Sequence, residues 1–167
     1  GRDQAVRRYV LNGQSAAAPA LAGGLHLVAT PIGNLRDITV RALEVLAAAD
    51  LIACEDTRVT RKLLDRYGIA TPLTPYHDHN AAQARPKLLA RLADGAAIAL
   101  VSDAGTPLVS DPGYKLVRAG RANLFKTDPA LPDSAVTTDS IVDQLVVAGT
   151  VNQVVEGSAG GGVVRVT

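Results

Sequence analysis

The sequence predicts an α/β domain with a parallel sheet covered by helices on both faces. Two observations carry that prediction. Between residues 25 and 119, four short apolar runs alternate with four helix-like runs, and a βαβα series of this kind implies parallel strands with crossover helices. Within it, Leu25-His-Leu-Val-Ala breaks abruptly into Thr30-Pro-Ile-Gly-Asn34, and Asp37-Ile-Thr39 then offers capping oxygens to the run Val40–Ala49. This is strand, tight loop, helix. The segments after the strands therefore share one edge of the sheet, the edge where open α/β folds bind ligands.

Residues 1–24 mix Arg2, Arg7 and Arg8 with Ser15-Ala-Ala-Ala-Pro-Ala-Leu-Ala-Gly-Gly24. Small residues without an amphipathic period read as a flexible arm whose arginines are solvated. The domain follows, over 25–130. Its strands are expected at Leu25–Ala29, Leu51–Cys54, Thr71–Pro75 and Ala97–Val101, and its helices at Thr39–Ala49, Thr57–Tyr67, Ala81–Ala93 and Pro112–Ala119. Asp111 and Pro112 are a helix-start pair with a structural cause. In the second helix, at about 100° per residue, Arg58, Arg61, Lys62 and Arg66 share one stripe, and Val59, Leu63, Leu64 and Tyr67 share the opposite one.

The chain has 167 residues and a net charge of +1, so any basic surface must be local. A lone cysteine, Cys54, excludes an internal disulfide and fits a reducing cytoplasm. No apolar run is long enough to span a bilayer, and the N-terminus lacks a signal-peptide core, so a soluble protein is expected. With 3% aromatic residues, a base-stacking platform is not expected. The chain begins at Gly1 and contains no Met, which reads as a trimmed sequence.

The informative polar residues fall on the expected ligand edge. Ser102-Asp-Ala-Gly-Thr-Pro107 puts a carboxylate just past a buried strand, beside small residues that admit a ligand to the backbone. Asp103 there suits hydroxyl or amine groups of a nucleoside, or caps its own turn. Glu55-Asp56 lies about 22 residues after Gly33, near the spacing at which a dinucleotide-binding acid meets a ribose. The first loop lacks the G-x-G-x-x-G pattern that reading needs. Tyr76-His-Asp-His-Asn80 sets two histidines at i and i+2; a metal would need further ligands, so hydrogen bonding in a polar pocket is preferred and no metal is expected.

Val28-Ala-Thr-Pro-Ile-Gly-Asn-Leu-Arg-Asp-Ile-Thr39, Glu55-Asp-Thr-Arg-Val-Thr-Arg-Lys-Leu-Leu64, Tyr76–Asn80 and Val101–Pro107 with Ser110-Asp-Pro-Gly-Tyr114 closely resemble the ribosomal RNA-modifying branch of the tetrapyrrole methylase superfamily. The resemblance implies methyl transfer from S-adenosyl-L-methionine to the ribose 2′-hydroxyl of a cytidine in 16S rRNA, by a cytoplasmic homodimer acting on the rRNA or the small ribosomal subunit. It implies cofactor contacts at Pro31, Ile32, Gly33, Asp103, Gly105 and Thr106. Leu131-Pro-Asp-Ser-Ala135 resembles the family's interdomain segment, which adds Ser134 and Ala135. Asp103, Glu55, Asp56 and His77 are the candidates for a general base, and Arg58, Arg61, Lys62 and Arg66 for phosphate contacts. From about Arg121 the sequence departs from the family, so residues 131–167 are expected to hold the linker and a truncated start of the second domain. Three alternatives stand beside this reading: a methylase of a small tetrapyrrole, a nicotinamide-dependent oxidoreductase, and a non-catalytic RNA-docking fragment.

Overall fold

The computed structural model describes residues 5–103, 115–116, 154–155 and 163–166. The described chain runs β1 (Arg8–Leu11), β2 (Gln14–Ala17), β3 (Gly24–Leu27), a 3-10 turn (Leu35–Asp37), α1 (Val40–Ala48), β4 (Leu51–Cys54), α2 (Thr57–Arg66), β5 (Leu73–Pro75), α3 (Ala81–Ala93), β6 (Ala97–Leu100), β7 (Val154–Val155) and β8 (Val163–Val166). The main sheet has the order β5-β4-β6-β3-β8-β7. All its neighbours pair parallel except β7, which runs antiparallel to β8.

Strands β3, β4 and β6 are buried along their whole length. Being covered on both faces, they must be apolar on both, and their side chains divide with a period of two. Val28, Ile52, Cys54, Ala99 and Val101 pack with Leu43 and Leu46 of α1 and Leu63 and Leu64 of α2. Leu25, Leu27, Leu51, Ala53, Ile98 and Leu100 pack with Leu88 and Leu92 of α3 and with Leu116. Helices α1 and α2 thus share one face and α3 takes the other, as right-handed crossovers require when β5 returns to β6 across β4. His26 occupies a fully buried strand position, its Nε2–H donating to the Ala22 carbonyl at 2.9 Å.

Local chemistry sets the helix ends. The Thr39 hydroxyl accepts the Ala42 N–H at 3.0 Å, and the Asp56 carboxylate accepts the Arg58 N–H at 2.9 Å. At the far end of α2, the Gly68 N–H reaches the Asp65 carbonyl and the Ile69 N–H reaches the Leu64 carbonyl, the paired bonds of a Schellman stop. Gly68 supplies the φ of +60° this needs. The Thr71 hydroxyl reaches back to the Leu46 carbonyl at 2.7 Å.

Residues 8–17 are not part of a flexible arm. Arg8–Leu11 and Gln14–Ala17 form an antiparallel hairpin around Asn12 and Gly13, both at positive φ. Tyr9 is buried in the α1–α2 face, and the Val10 N–H donates to the Tyr67 carbonyl at 2.7 Å. Two of the three arginines read as solvated are engaged: Arg7 pairs with Asp50 at 2.9 Å and donates to the Ala49 carbonyl, and Arg8 Nε donates to the Ser15 hydroxyl at 2.7 Å. Asn-Gly is a type I′ hairpin signal, and it outweighs the weak strand propensity of Gln-Ser-Ala-Ala.

Val154–Val155 and Val163–Val166 pair onto the sheet beyond β3, and the rest of residues 131–167, expected to hold the linker and the start of a second domain, lies outside the described residues. β-branched residues suit the open edge that β3 would otherwise leave. One further expectation is corrected. On α2, Val59 is 40% exposed, and Thr60 takes the buried position beside Leu63 and Leu64. Val59 sits about 90° from the centre of the buried stripe, at its margin. Of the expected helix Pro112–Ala119, Lys115 and Leu116 are described and helical, and the rest lies outside the described residues.

Gly68 and Cys54 each make a testable point. A Cβ on Gly68 would stand 2.8 Å from Val10 Cγ2, at a φ that L-residues resist. Gly68→Ala is expected to lower the urea-unfolding free energy by about 2 kcal/mol, and a Val10→Ala background should return the part due to the contact. Burial pushes the Cys54 thiol above its ordinary value, with Asp103 and Asp56 adding to the rise and the Thr60 hydroxyl and Arg61 opposing it. The folded chain then holds this proton more tightly than the unfolded one, so stability declines as pH climbs past the ordinary thiol value. Cys54→Ala should flatten that decline in denaturation curves taken on either side of pH 9.

Candidate functional site

Where successive connections leave a sheet toward opposite faces, the loops part and open a crevice. Here that strand is β6. Its neighbours β3 and β4 lead into α1 and α2 on one face, while Leu116, beyond β6, packs on the face of α3. The segments at this point are Val28–Asn34 after β3, Glu55–Asp56 after β4 and Val101–Asp103 after β6.

Three hydrogen bonds tie them together. The Val28 N–H reaches the Leu100 carbonyl at 3.0 Å, and the Thr30 hydroxyl donates to the Ser102 carbonyl at 3.2 Å. On the other side, Asp103 Oδ1 accepts the Asp56 N–H at 3.1 Å. That bond occupies one carboxylate oxygen, and among the described residues Oδ2 takes none. Asp103 is exposed. It therefore fixes the start of α2 with one oxygen and presents the other at the crevice.

The first loop stands clear of the body. Ile32 is 76% exposed, and Gly33 has a φ of +89° with nothing within 4 Å of where a Cβ would lie. The open side of this turn leaves backbone accessible to a ligand, which only glycine permits at that φ. The Asn34 side chain accepts the Arg36 N–H at 3.0 Å, and the 3-10 turn Leu35–Asp37 leads to α1.

The four candidate bases differ in their engagements. Asp56 is the N-cap of α2 and also holds Arg58 at 3.0 Å; the hydrogen bond from that guanidinium keeps its carboxyl below the usual carboxylate range. A carboxylate so occupied is architectural. His77 follows β5, two strands from β6 and so about 10 Å along the edge. Its N–H donates to Asn80 Oδ1 at 2.8 Å, its ring meets that of His79 edge-on at 5.9 Å, and Tyr76 beside it is buried with its hydroxyl accepting from Arg85. Glu55, half-buried, follows β4 directly, and Asp103 ends the described run after β6. Among the described residues those two are the carboxylates the fold leaves at the crevice.

Arg58, Arg61, Lys62 and Arg66 are all exposed along α2, whose N-terminus abuts the crevice through Asp56. Arg58 is tethered to Asp56, and among the described residues Arg61, Lys62 and Arg66 form no ion pair. A separate groove of about 470 Å³ lies at the sheet margin between β5 and α3, with Leu73, Gln83, Lys87 and Arg91 in its wall. It sits apart from β6. Among the described residues no cluster of three or more His, Cys, Asp or Glu side chains is arranged to hold a metal ion. No described helix is long and apolar enough to cross a membrane.

Of the contacts expected for a cofactor, Pro31, Ile32, Gly33 and Asp103 are described and lie at this crevice, while Gly105, Thr106, Ser134 and Ala135 lie outside the described residues. The sequence reading missed two things here. It gave Asp56 no capping role, although an Asp directly before the helical run Thr57–Arg66 is an N-cap signal. It also passed over the hydroxyl of Thr30 as a bridge between loops, which no local pattern announces.

Residues 24–131 match the family model for tetrapyrrole (corrin/porphyrin) methylases. Among curated proteins, the chain is 69% identical over 100 residues to a protein named ribosomal RNA small subunit methyltransferase I from Mesorhizobium japonicum, covering 60% of this chain and 34% of the relative. It is 59% identical over 116 residues to the protein of that name from Escherichia coli O157:H7, covering 69% and 41%, and 52% identical over 123 residues to that from Neisseria meningitidis serogroup B, covering 74% and 42%. The chain thus spans less than half the length of each of these relatives. A parallel sheet wound on both faces, with its crevice at the loops that carry the shared motifs, agrees with the matched region, and the chain belongs to the tetrapyrrole methylase family.

Proposed function

We propose that this chain is the cofactor-binding half of an S-adenosyl-L-methionine-dependent methyltransferase acting on the ribose 2′-hydroxyl of a cytidine in 16S rRNA. The observation that carries the reading is the convergence of the Thr30–Gly33 loop, Glu55–Asp56 and Asp103 at the carboxyl end of β6, with an exposed basic helix starting from the same point. Similarity to proteins named ribosomal RNA small subunit methyltransferase I supports the substrate class. The tetrapyrrole alternative would leave the basic face of α2 without a role.

The crevice fits the cofactor's chemistry. The Oδ2 of Asp103, which takes no hydrogen bond among the described residues, is an acceptor for hydroxyl or amine groups, and the open backbone at Gly33 accommodates a ligand at van der Waals distance. Bound there, the sulfonium supplies a methyl group already activated for transfer. The protein's share is to hold the ribose oxygen in line with that methyl, and positioning alone is worth roughly 7–11 kcal/mol. Methylation of that hydroxyl would release its proton, which the protein would have to accept. Among the described residues Glu55 or Asp103 is the acceptor the fold leaves available, since Asp56 is committed to Arg58 and the cap. Arg61, Lys62 and Arg66 contact phosphates, which positions the RNA without reading its bases. We assign this work to the cytoplasm and to a homodimer, the arrangement that the resemblance implies.

Calorimetric titration with S-adenosylhomocysteine tests the cofactor site. The chain should bind it, and Asp103→Ala should weaken binding about tenfold or more, the loss of a hydrogen bond to a charged group. A folded chain that does not bind overturns the reading. For the RNA face, replacing Arg61, Lys62 and Arg66 with Ala should reduce the slope of log K against log salt for a 16S rRNA fragment by about 2, with cofactor binding unchanged; an unaltered slope favours the tetrapyrrole alternative.

A further inference from the structure

Tyr67 stands where three parts of the chain meet. It closes α2, its ring is 6% exposed within the α1–α2 face, and its carbonyl accepts the Val10 N–H of the hairpin at 2.7 Å. Its hydroxyl leaves that packing and donates to the Leu35 carbonyl at 2.8 Å, across 32 residues of sequence. Leu35 is two residues beyond Gly33. The loop before it makes little packing of its own, with Ile32 76% exposed and open space around Gly33. Such a loop is as fixed as its ends. The front end is fastened where the Thr30 hydroxyl meets the Ser102 carbonyl, and the back end where the Tyr67 hydroxyl meets Leu35.

We infer that Tyr67 is a positioning residue for the first loop, its hydroxyl presetting the Pro31–Gly33 backbone in the conformation that receives the methyl donor. The inference deepens the cofactor reading above and rests on it. The ring of Tyr67 belongs to the core, but the hydroxyl contributes nothing there: among the described residues its partner is the exposed loop carbonyl of Leu35. A phenylalanine would pack equally well. The hydroxyl is thus explained by what it does to Leu35, and a loop ordered before its ligand arrives spares that ligand the entropy of ordering it.

The test is Tyr67→Phe, followed by amide hydrogen exchange and by titration with S-adenosylhomocysteine, with Tyr9→Phe as a control that removes the hydroxyl of another tyrosine whose ring lies in the same core. Exchange at Ile32–Asp37 should quicken about fivefold, the equivalent of one neutral hydrogen bond, while β4 and β6 exchange as in the wild type. S-adenosylhomocysteine should bind about fivefold more weakly to Tyr67→Phe and unchanged to Tyr9→Phe. Exchange that is unaltered in the loop, or that quickens equally throughout the sheet, overturns the inference. So does equal affinity in wild type and Tyr67→Phe, which leaves the cofactor reading standing. A folded wild type that ignores S-adenosylhomocysteine removes that reading and the inference together.

Discussion

The structure depends on the insertion of β6 between β3 and β4. A parallel strand with a neighbour on each side and a helix layer on each face has no solvent-facing surface, so Ala97-Ile-Ala-Leu100 must be small or apolar throughout. Its entry is fixed by Asp50, whose Oδ2 accepts the Ala97 N–H at 2.8 Å while Oδ1 holds Arg7. One carboxylate therefore registers the central strand and docks the N-terminal hairpin. Because β6 returns across β4 after the chain has reached β5, the connections part at its far end, and the crevice follows from strand order alone.

That dependence makes the site economical. Thr30, Asp56 and Asp103 bring three loops together with two hydrogen bonds, one of them made by the residue that also caps α2. Asp56 illustrates the trade. As an N-cap bound to Arg58 it is held ionised and in place, which makes it a dependable anchor for α2 and a poor proton acceptor. The carboxylates able to do chemistry are those with an oxygen left over.

Much of this was legible from the residues. β4 and α3 fall on the ranges read from the sequence, because an unbroken apolar run and an amphipathic period were each bounded by turn residues. The loops that hold the shared motifs were placed on one edge by the βαβ rule alone. The hairpin was not, because Ser15–Ala17 has neither the bulk nor the branching of a strand, and its order comes from Asn12-Gly13 and from Tyr9 in a distant core. Pro86 inside α3 shows a similar override: a residue that removes a helical donor is accepted where Leu88 and Leu92 are buried against the sheet. Position-specific contacts such as Tyr67 to Leu35 depend on how elements are laid together, and no window of sequence contains them.

Strand β5 ends the sheet with three residues, flanked by Pro72 and closed by Pro75. The Tyr76 N–H donates inward to Cys54, so the nitrogen of Pro75 lies on the outward side of the strand, where it has no hydrogen to offer. An exposed strand edge is normally a template on which other chains can nucleate. Of the two outward nitrogens of β5, those of Leu73 and Pro75, only the first has a hydrogen to offer, so the margin presents a shorter template than the strand's length would give.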